Sequence, residues 1–312
     1  MIEMFGLLHL KEGERSVPNL RARDFNDQIT VYVDSAVCLS KSLRQRGINF
    51  TLLTNQSELV QARLKGSAQE LHIREIPCRL EIPEGIKFYS AHFKFDAIKY
   101  LAALDLPYAV LCDLDMVCNQ EVPGALENIA ANKTAVFYDI SDQVIPVFGR
   151  EVIIRDLQLL HGLRSEGRWA GGEFIGGTPE FFGCLHAEVQ ALFARYLSVA
   201  SSLHHVGDET LTSAALEVLR SKGTYIADAG TLDLVGRYWS IGTLHVQRPF
   251  SAYESTFLLH LPSDKRFLAS MAVKGPGTTA QFLRRYRIYR MFTPRTLALR
   301  LTTRIRNAAV GA

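Results

Sequence analysis

Two hydrophobic rhythms alternate along the chain. Residues 28–34, QITVYVD, form a β-branched run that predicts a strand, and 36–46, AVCLSKSLRQR, carry Ala36, Leu39 and Leu43 at helical spacing before Gly47 stops the helix. Residues 49–54, NFTLLT, predict a second strand. Strand, helix and strand in so short a stretch make a βαβ unit, whose crossover implies a parallel sheet. Further on, 87–104 place Phe88, Phe95, Ile98, Leu101 and Ala102 on one helical stripe, and 108–112, YAVLC, read as a buried central strand. The fold class is therefore α/β. Parallel sheets hold ligands beyond the carboxyl ends of their strands, which directs attention to the residues just after YAVLC.

Composition narrows the class. With 312 residues, 47% hydrophobic and 21% charged, the chain is long enough for a large core and unlike a disordered or fibrous protein. No apolar run reaches the length of a spanning helix, and the first twenty residues lack a secretory pattern, so a cytoplasmic protein is expected. Five cysteines without a CxxC pair read as reduced thiols. The turn DSAVCLS has no GxGxxG, and no GxxxxGK[ST] occurs, which argues against dinucleotide-linked redox enzymes and P-loop ATPases. The net charge of +3 conceals an asymmetry. Residues 267–312 carry Lys274, eight arginines and no acid, whereas 1–266 are net acidic. This divides the chain into a body, 1–266, and a basic C-terminal extension, 267–312.

Asp113-Leu114-Asp115 comes directly after the apolar strand. In extended chain both carboxylates can point to one side, and two anions so close call for a cation; oxygen ligands favour Mg²⁺ or Mn²⁺. Alone, a D-x-D string reads more readily as a solvated acidic turn. His260, after the apolar STFLL, is either a metal ligand or a histidine packed at a strand end. Asp208 and Glu209 open an apolar helix, where Asp208 can serve as N-cap and Glu209 can complement the dipole. The glycines of the GGEFIGG segment fit a bent, bulged strand.

These pieces together resemble the GT-A-fold glycosyltransferases, especially the retaining enzymes of family eight, to which glycogenin and bacterial lipopolysaccharide galactosyltransferases belong. ITVYVDSAVCLSKSL looks like their first strand and following helix, HFKFDAIKYLAAL like the helix whose basic residue precedes the catalytic strand, and YAVLCDLDMV like that strand with its D-x-D. GGEFIGGTPEFF is closest to the donor-sugar segment of family six, the blood-group and α-1,3-galactosyl transferases. GDETLTSAAL resembles the acidic helix start of both families, and LLHLPSDKRF the terminal histidine-plus-lysine motif of family eight. The order holds over about residues 28–266.

The resemblance implies a GT-A-like mixed sheet flanked by helices, with a metal-dependent, retaining transfer of a hexose from a nucleotide-diphosphate sugar, a UDP-hexose, to a glycan or glycolipid hydroxyl. It implies that Asp113, Asp115 and His260 hold Mn²⁺ or Mg²⁺. Lys265 would neutralise the departing phosphate and Lys94 would stand near the phosphates or the donor sugar, although Lys94 on a polar helix face is equally explained by solvation. Tyr32, Val33 and Asp34 would grip base and ribose at the end of the first strand, Asp34 being alternatively an N-cap. Leu114, Gly171, Gly172 and Glu173 would line the donor, Glu209 would face the anomeric carbon, and Asp208 the sugar hydroxyls. Family eight usually has an asparagine near the glycine segment; this chain does not. Trp169, Tyr238 and Trp239 are candidates for stacking on acceptor rings or for packing. Residues 281–306 interleave apolar residues and arginines around Pro294, a pattern that suits an anionic membrane surface at the inner face of the membrane, and no nucleic-acid module accompanies it. Two other readings belong with these residues: a sugar-nucleotide-binding protein without catalysis, and a nucleotidyltransferase of similar fold.

Overall fold

The computed structural model describes residues 2–12, 20, 22–64, 71–83 and 85–292. Strands β1 (Glu3–Leu8), β2 (Asn49–Thr54), β3 (His72–Glu75), β4 (Ala109–Cys112), β6 (Ala135–Asp139), β7 (Ala170–Gly177) and β8 (Ile226–Asp228) form a seven-stranded sheet in the order β3-β2-β1-β4-β7-β6-β8. The first four are mutually parallel, and β7 runs antiparallel to both β4 and β6. β5 (Met116–Cys118), β10 (Leu258–His260) and β9 (Val235–Arg237) form a second, three-stranded sheet. Helices α1 (Phe25–Arg44), α3 (Lys94–Ala102), α7 (Pro179–Val199) and α8 (Asp208–Ser221) are the elements that shape the site. Helices α2 (Ser57–Arg63), α4 (Gly124–Ala131), α5 (Ser141–Phe148) and α6 (Arg150–His161) accompany them. The fold is α/β with a mixed central sheet, and β4 and β2 lie where the apolar runs place them.

One expectation fails. Residues 28–34 are not a strand: they lie within the twenty-residue helix α1, and so does the whole of ITVYVDSAVCLSKSL. Ile29, Val33, Ala36, Val37 and Ser40 are buried along it, and Asp24 caps its start by accepting from the Asp27 amide. β-Branched residues disfavour helix by only a few tenths of a kcal/mol each, which this buried face outweighs. The strand that precedes this helix is β1, EMFGLL. It escapes pattern reading because a glycine sits at its centre and its length is only six residues. The βαβ unit therefore exists, but begins upstream, at β1.

Gly6 in β1 has a local reason. A Cβ there would lie 2.5 Å from Leu114 Cδ2 and 3.0 Å from Phe50. Leu114, 4% exposed, thus packs into the core over Gly6, and that anchor leaves Asp113 and Asp115 on either side of it facing the cleft.

The C-terminal part is tied back to the body. Helix α9 (Lys265–Ala269), which spans residue 266, lies against α1: the Ser35 hydroxyl donates to the Lys265 carbonyl at 3.2 Å, and Arg266 pairs with Asp27 at 2.5 Å. Helix α10 (Thr279–Met291) buries Phe282, Leu283 and Tyr286 in a second apolar cluster with Phe250, Phe267 and Leu268. The remainder of the arginine-rich stretch, with Pro294, lies outside the described residues. Among the described residues no helix is long and apolar enough to cross a membrane.

Replacing Gly6 with alanine should force Leu114 aside and lower stability by about 1–3 kcal/mol, the scale of overpacking a filled core. Urea unfolding measures this, and a change below about 0.5 kcal/mol, the range of neutral surface substitutions, would contradict the packing account.

Candidate functional site

A cleft of about 530 Å³ opens beyond the carboxyl ends of β1 and β4, where the two sheets meet. Asp113 and Asp115 stand between β4 and β5, so they occupy the passage from one sheet to the other. Antiparallel pairing of β10 with β5 sets His260 opposite Met116, beside Asp115, and the Leu261 amide donates to the Asp115 carbonyl at 2.9 Å. Some 145 positions of sequence separation are thereby closed by the three residue pairs of one strand pairing. His260 Nε2 lies 3.2 Å from Asp115 Oδ1 and 3.8 Å from Asp113 Oδ2. One ligand atom from each of the three residues lies within 4.8 Å of the others.

The donor set suits a divalent cation. Both ring nitrogens of His260 are buried without a well-formed hydrogen bond, although carboxylates stand close on two sides. Buried polar atoms are almost always satisfied, so an Nε2 that faces Asp113 and Asp115 without a well-formed hydrogen bond fits a site completed by a cation. Two carboxylates and one imidazole are competent ligands for Mn²⁺, and the carboxylates for Mg²⁺.

The acids are held by cations of the chain itself. Lys94, the first residue of α3, contacts Asp113 Oδ1 at 2.7 Å and Asp208 Oδ2 at 3.0 Å, and donates to the Gly172 carbonyl at 2.7 Å. It is therefore a site residue and no mere solvated lysine. Lys265 lies 2.6 Å from Asp115 Oδ2. Burial by itself pushes Asp115 up, but Lys265 and His260 outweigh it and hold the carboxyl far below its usual range. Asp113 shows the opposite balance: burial, only partly offset by Lys94 and reinforced by Asp115, raises it. For His260 burial lowers the affinity for a proton, yet Asp115 and Glu173 raise it to about 9. Glu173 is pushed up by burial but brought down to about 2, first by Arg237 and then by His260. Asp115 and Glu173 are thus held ionised by the cations around them, whereas Asp113 keeps a raised affinity for a proton.

The sugar-side acids sit at the start of α8. Gly207 occupies the cap position and makes no side-chain cap, so Asp208 is the first helical residue and its carboxylate turns to Lys94. This corrects the reading of Asp208 as N-cap. Glu209 accepts a hydrogen bond from the Trp169 indole N–H at 2.9 Å and faces Arg237 at 3.9 Å and His205 at 3.9 Å. Gly171 and Gly172 of β7 have steric causes. A Cβ on Gly171 would stand 2.2 Å from Glu173 Oε2, and one on Gly172 2.4 Å from Asp208 Oδ2 and 3.1 Å from Lys94 Nζ. They make room for carboxylates.

The structure does not bring every expected residue to the cleft. Tyr32 lines it, with the Lys265 ammonium 6.0 Å from its ring. Val33, 1% exposed, belongs to the core, and Asp34, half-buried on α1, is not among the lining residues. Both readings assumed a strand end, and the helix carries these two positions away. Trp169 and Tyr238 are buried, which leaves Trp239 as the half-exposed tryptophan of the cleft wall. Several lining residues escape the sequence reading: Arg237 at the end of β9, His9 after β1, and His204, whose Nδ1 lies 2.6 Å from the buried Asp156. An arginine inside the apolar LVGRY run was the one legible signal among them.

No protein-family model matches the chain, and no curated protein matches it in sequence. In structure it is similar to the galactosyltransferase LgtC, solved in complex with donor and acceptor sugar analogues: the TM-score is 0.52 over 88% of this chain and 98% of that chain, at 10% identity. The shared property is the fold, a GT-A-like sheet with its flanking helices.

His9, stacked on Phe93 at 3.9 Å, is held by burial, with Lys11 adding to it, down from 6.5 to about 4. As pH falls, the unfolded chain therefore takes up this proton first, and native stability drops between pH 6.5 and about 4. His9→Phe should flatten part of that slope in urea melts recorded across the interval; an identical slope would show that His9 is not buried neutral.

Proposed function

We propose that the protein is a metal-dependent glycosyltransferase that moves a hexose from a nucleotide-diphosphate sugar, a UDP-hexose, to a hydroxyl of a glycan or lipid-linked glycan, with retained α configuration. The observation that carries the reading is the convergence of Asp113, Asp115 and His260 in a cleft of a GT-A-like fold. Those three residues would hold Mn²⁺ or Mg²⁺, which when bound neutralises the diphosphate as it becomes a leaving group. Lys265 stands within 2.6 Å of Asp115 and can supply a second positive charge where negative charge grows. Lys94 couples Asp113 to Asp208, so one ammonium orients an acid of the ion site and an acid of the sugar site. Glu209, fixed by the Trp169 N–H, offers its carboxylate to positive charge developing at the anomeric carbon, and Asp208 is placed for sugar hydroxyls. Trp239, His204 and His205, which also line the cleft, form the wall on which an acceptor would rest.

The C-terminal extension supports peripheral attachment to the inner face of a membrane. The outward face of α10 exposes Ile288, Met291 and Phe292 beside Arg284 and Arg285, a pairing of apolar and cationic groups that suits anionic lipid.

Two measurements test these readings. Asp113→Ala and Asp115→Ala should each lower Mn²⁺-dependent UDP release from UDP-hexoses by about a hundredfold or more, the scale of losing one transition-state charge partner. Undiminished turnover in both variants contradicts the assignment, and Mn²⁺-dependent UDP binding without any turnover of the parent protein favours a binding protein instead. The full chain should co-sediment with phosphatidylglycerol vesicles and much less with phosphatidylcholine vesicles. Changing Ile288, Met291 and Phe292 together to serine should weaken that binding, and equal binding by the variant removes α10 from the membrane contact.

A further inference from the structure

Glu173 has a place in the site that the donor-sugar reading does not explain. It borders the cleft but is only 1% exposed, so its carboxylate is turned mainly into the protein. Its Oε1 lies 3.4 Å from His260 Nδ1 and 3.4 Å from Arg237 Nη1. Its backbone carbonyl accepts from the Asp113 amide at 3.0 Å, because β7 runs antiparallel to β4 with Phe174 opposite Cys112. One residue of β7 thus touches the backbone of one proposed ion ligand and the side chain of another. Gly171 is the counterpart: any side chain there would collide with the Glu173 carboxylate.

We infer that Glu173 is a positioning residue for His260, holding Nδ1 on the protein side so that Nε2 faces Asp113 and Asp115. This rests on the metal reading above and deepens it. An imidazole ring has two nitrogens and can rotate; a carboxylate on one nitrogen fixes both the tautomer and the plane, and makes the other nitrogen a better electron donor. Arg237 clamps Glu173 from the far side and continues to Glu209 at 3.9 Å. The chain His260, Glu173, Arg237, Glu209 therefore connects the ion end of the cleft to its sugar end through groups that are mostly buried. Gly171 and Glu173 then serve the ion site and do not select the hexose.

The test reads the metal itself. Full-length protein is stripped with EDTA and titrated with Mn²⁺ by calorimetry, and the Mn²⁺-loaded form is examined by electron spin-echo spectroscopy for modulation from a coordinated imidazole nitrogen. The parent protein is expected to show that nitrogen. Glu173→Gln should weaken Mn²⁺ binding by about 10- to 100-fold, as loss of an outer partner to a ligating histidine does, and should diminish the nitrogen signal. Gly171→Ala keeps every polar group and displaces the carboxylate, so it should diminish the same signal even if the glutamine variant folds poorly. Parent-like affinity and nitrogen signal in either folded variant overturn the inference. A shift in preference among UDP-hexoses with unaltered Mn²⁺ binding returns Glu173 to the donor sugar. A parent protein that binds Mn²⁺ without a nitrogen signal, or binds none, overturns the ion assignment itself, which distinguishes that failure from the failure of Glu173 alone.

Discussion

Burial of negative charge is the constraint around which this molecule is arranged. Asp115, Glu173 and Asp208 are each less than 7% exposed, and Asp113 joins them at the cleft floor. A carboxylate taken out of water costs several kcal/mol unless it is paired, and removing one partner leaves the cost standing. The chain answers with Lys94, Lys265, Arg237 and His260, all supplied by separate elements and all in contact with at least one acid. The His260 Nε2, close to Asp113 and Asp115 but without a well-formed hydrogen bond, marks where this internal neutralisation is incomplete.

The backbone makes such density of charge feasible. Strand ends bring the acids together: β4 stops at Cys112 and β5 begins at Met116, so the D-L-D triplet turns from one sheet into the other with Leu114 pinned over Gly6. The antiparallel pairs β4 with β7 and β5 with β10 then set Glu173 and His260 on either side of that turn. Glycines at 171 and 172 remove the side chains that would compete with the carboxylates for the same space. The likeness to a solved galactosyltransferase at 10% identity is consistent with this economy, since a fold can be kept while nearly all side chains change.

Helix α1 does work quite different from that of a nucleotide-binding strand. It buries one face in the core, and its other contacts tie down α9, whose first residue is Lys265. Lys41 donates to the carbonyls of Ala272 and Val273 at 2.6 and 2.8 Å, extending the same attachment. Beyond it, α10 packs Tyr286 against Asp264, with the tyrosine hydroxyl donating at 2.7 Å. The described part of the basic extension thus braces the helix that carries a site lysine.

His260 and Lys265 were reached only through the resemblance of the motif order to a known family, whereas the sequence by itself determined the α/β class, the buried run before Asp113 and Asp115, and the acidic helix start at 208. These are local properties, because hydrophobic period and residue chemistry are visible within a few positions. It could not tell a β-branched helix from a strand at 28–34, nor find β1 behind its glycine, since propensities of a few tenths of a kcal/mol yield to whichever face becomes buried. Only the tertiary structure decided that Lys94 is paired rather than solvated, that Asp208 turns to it rather than capping its own helix, and that Arg237 and Glu173 meet at all. Each of those outcomes depends on strand pairings between residues far apart in the chain, and a linear pattern carries no distance.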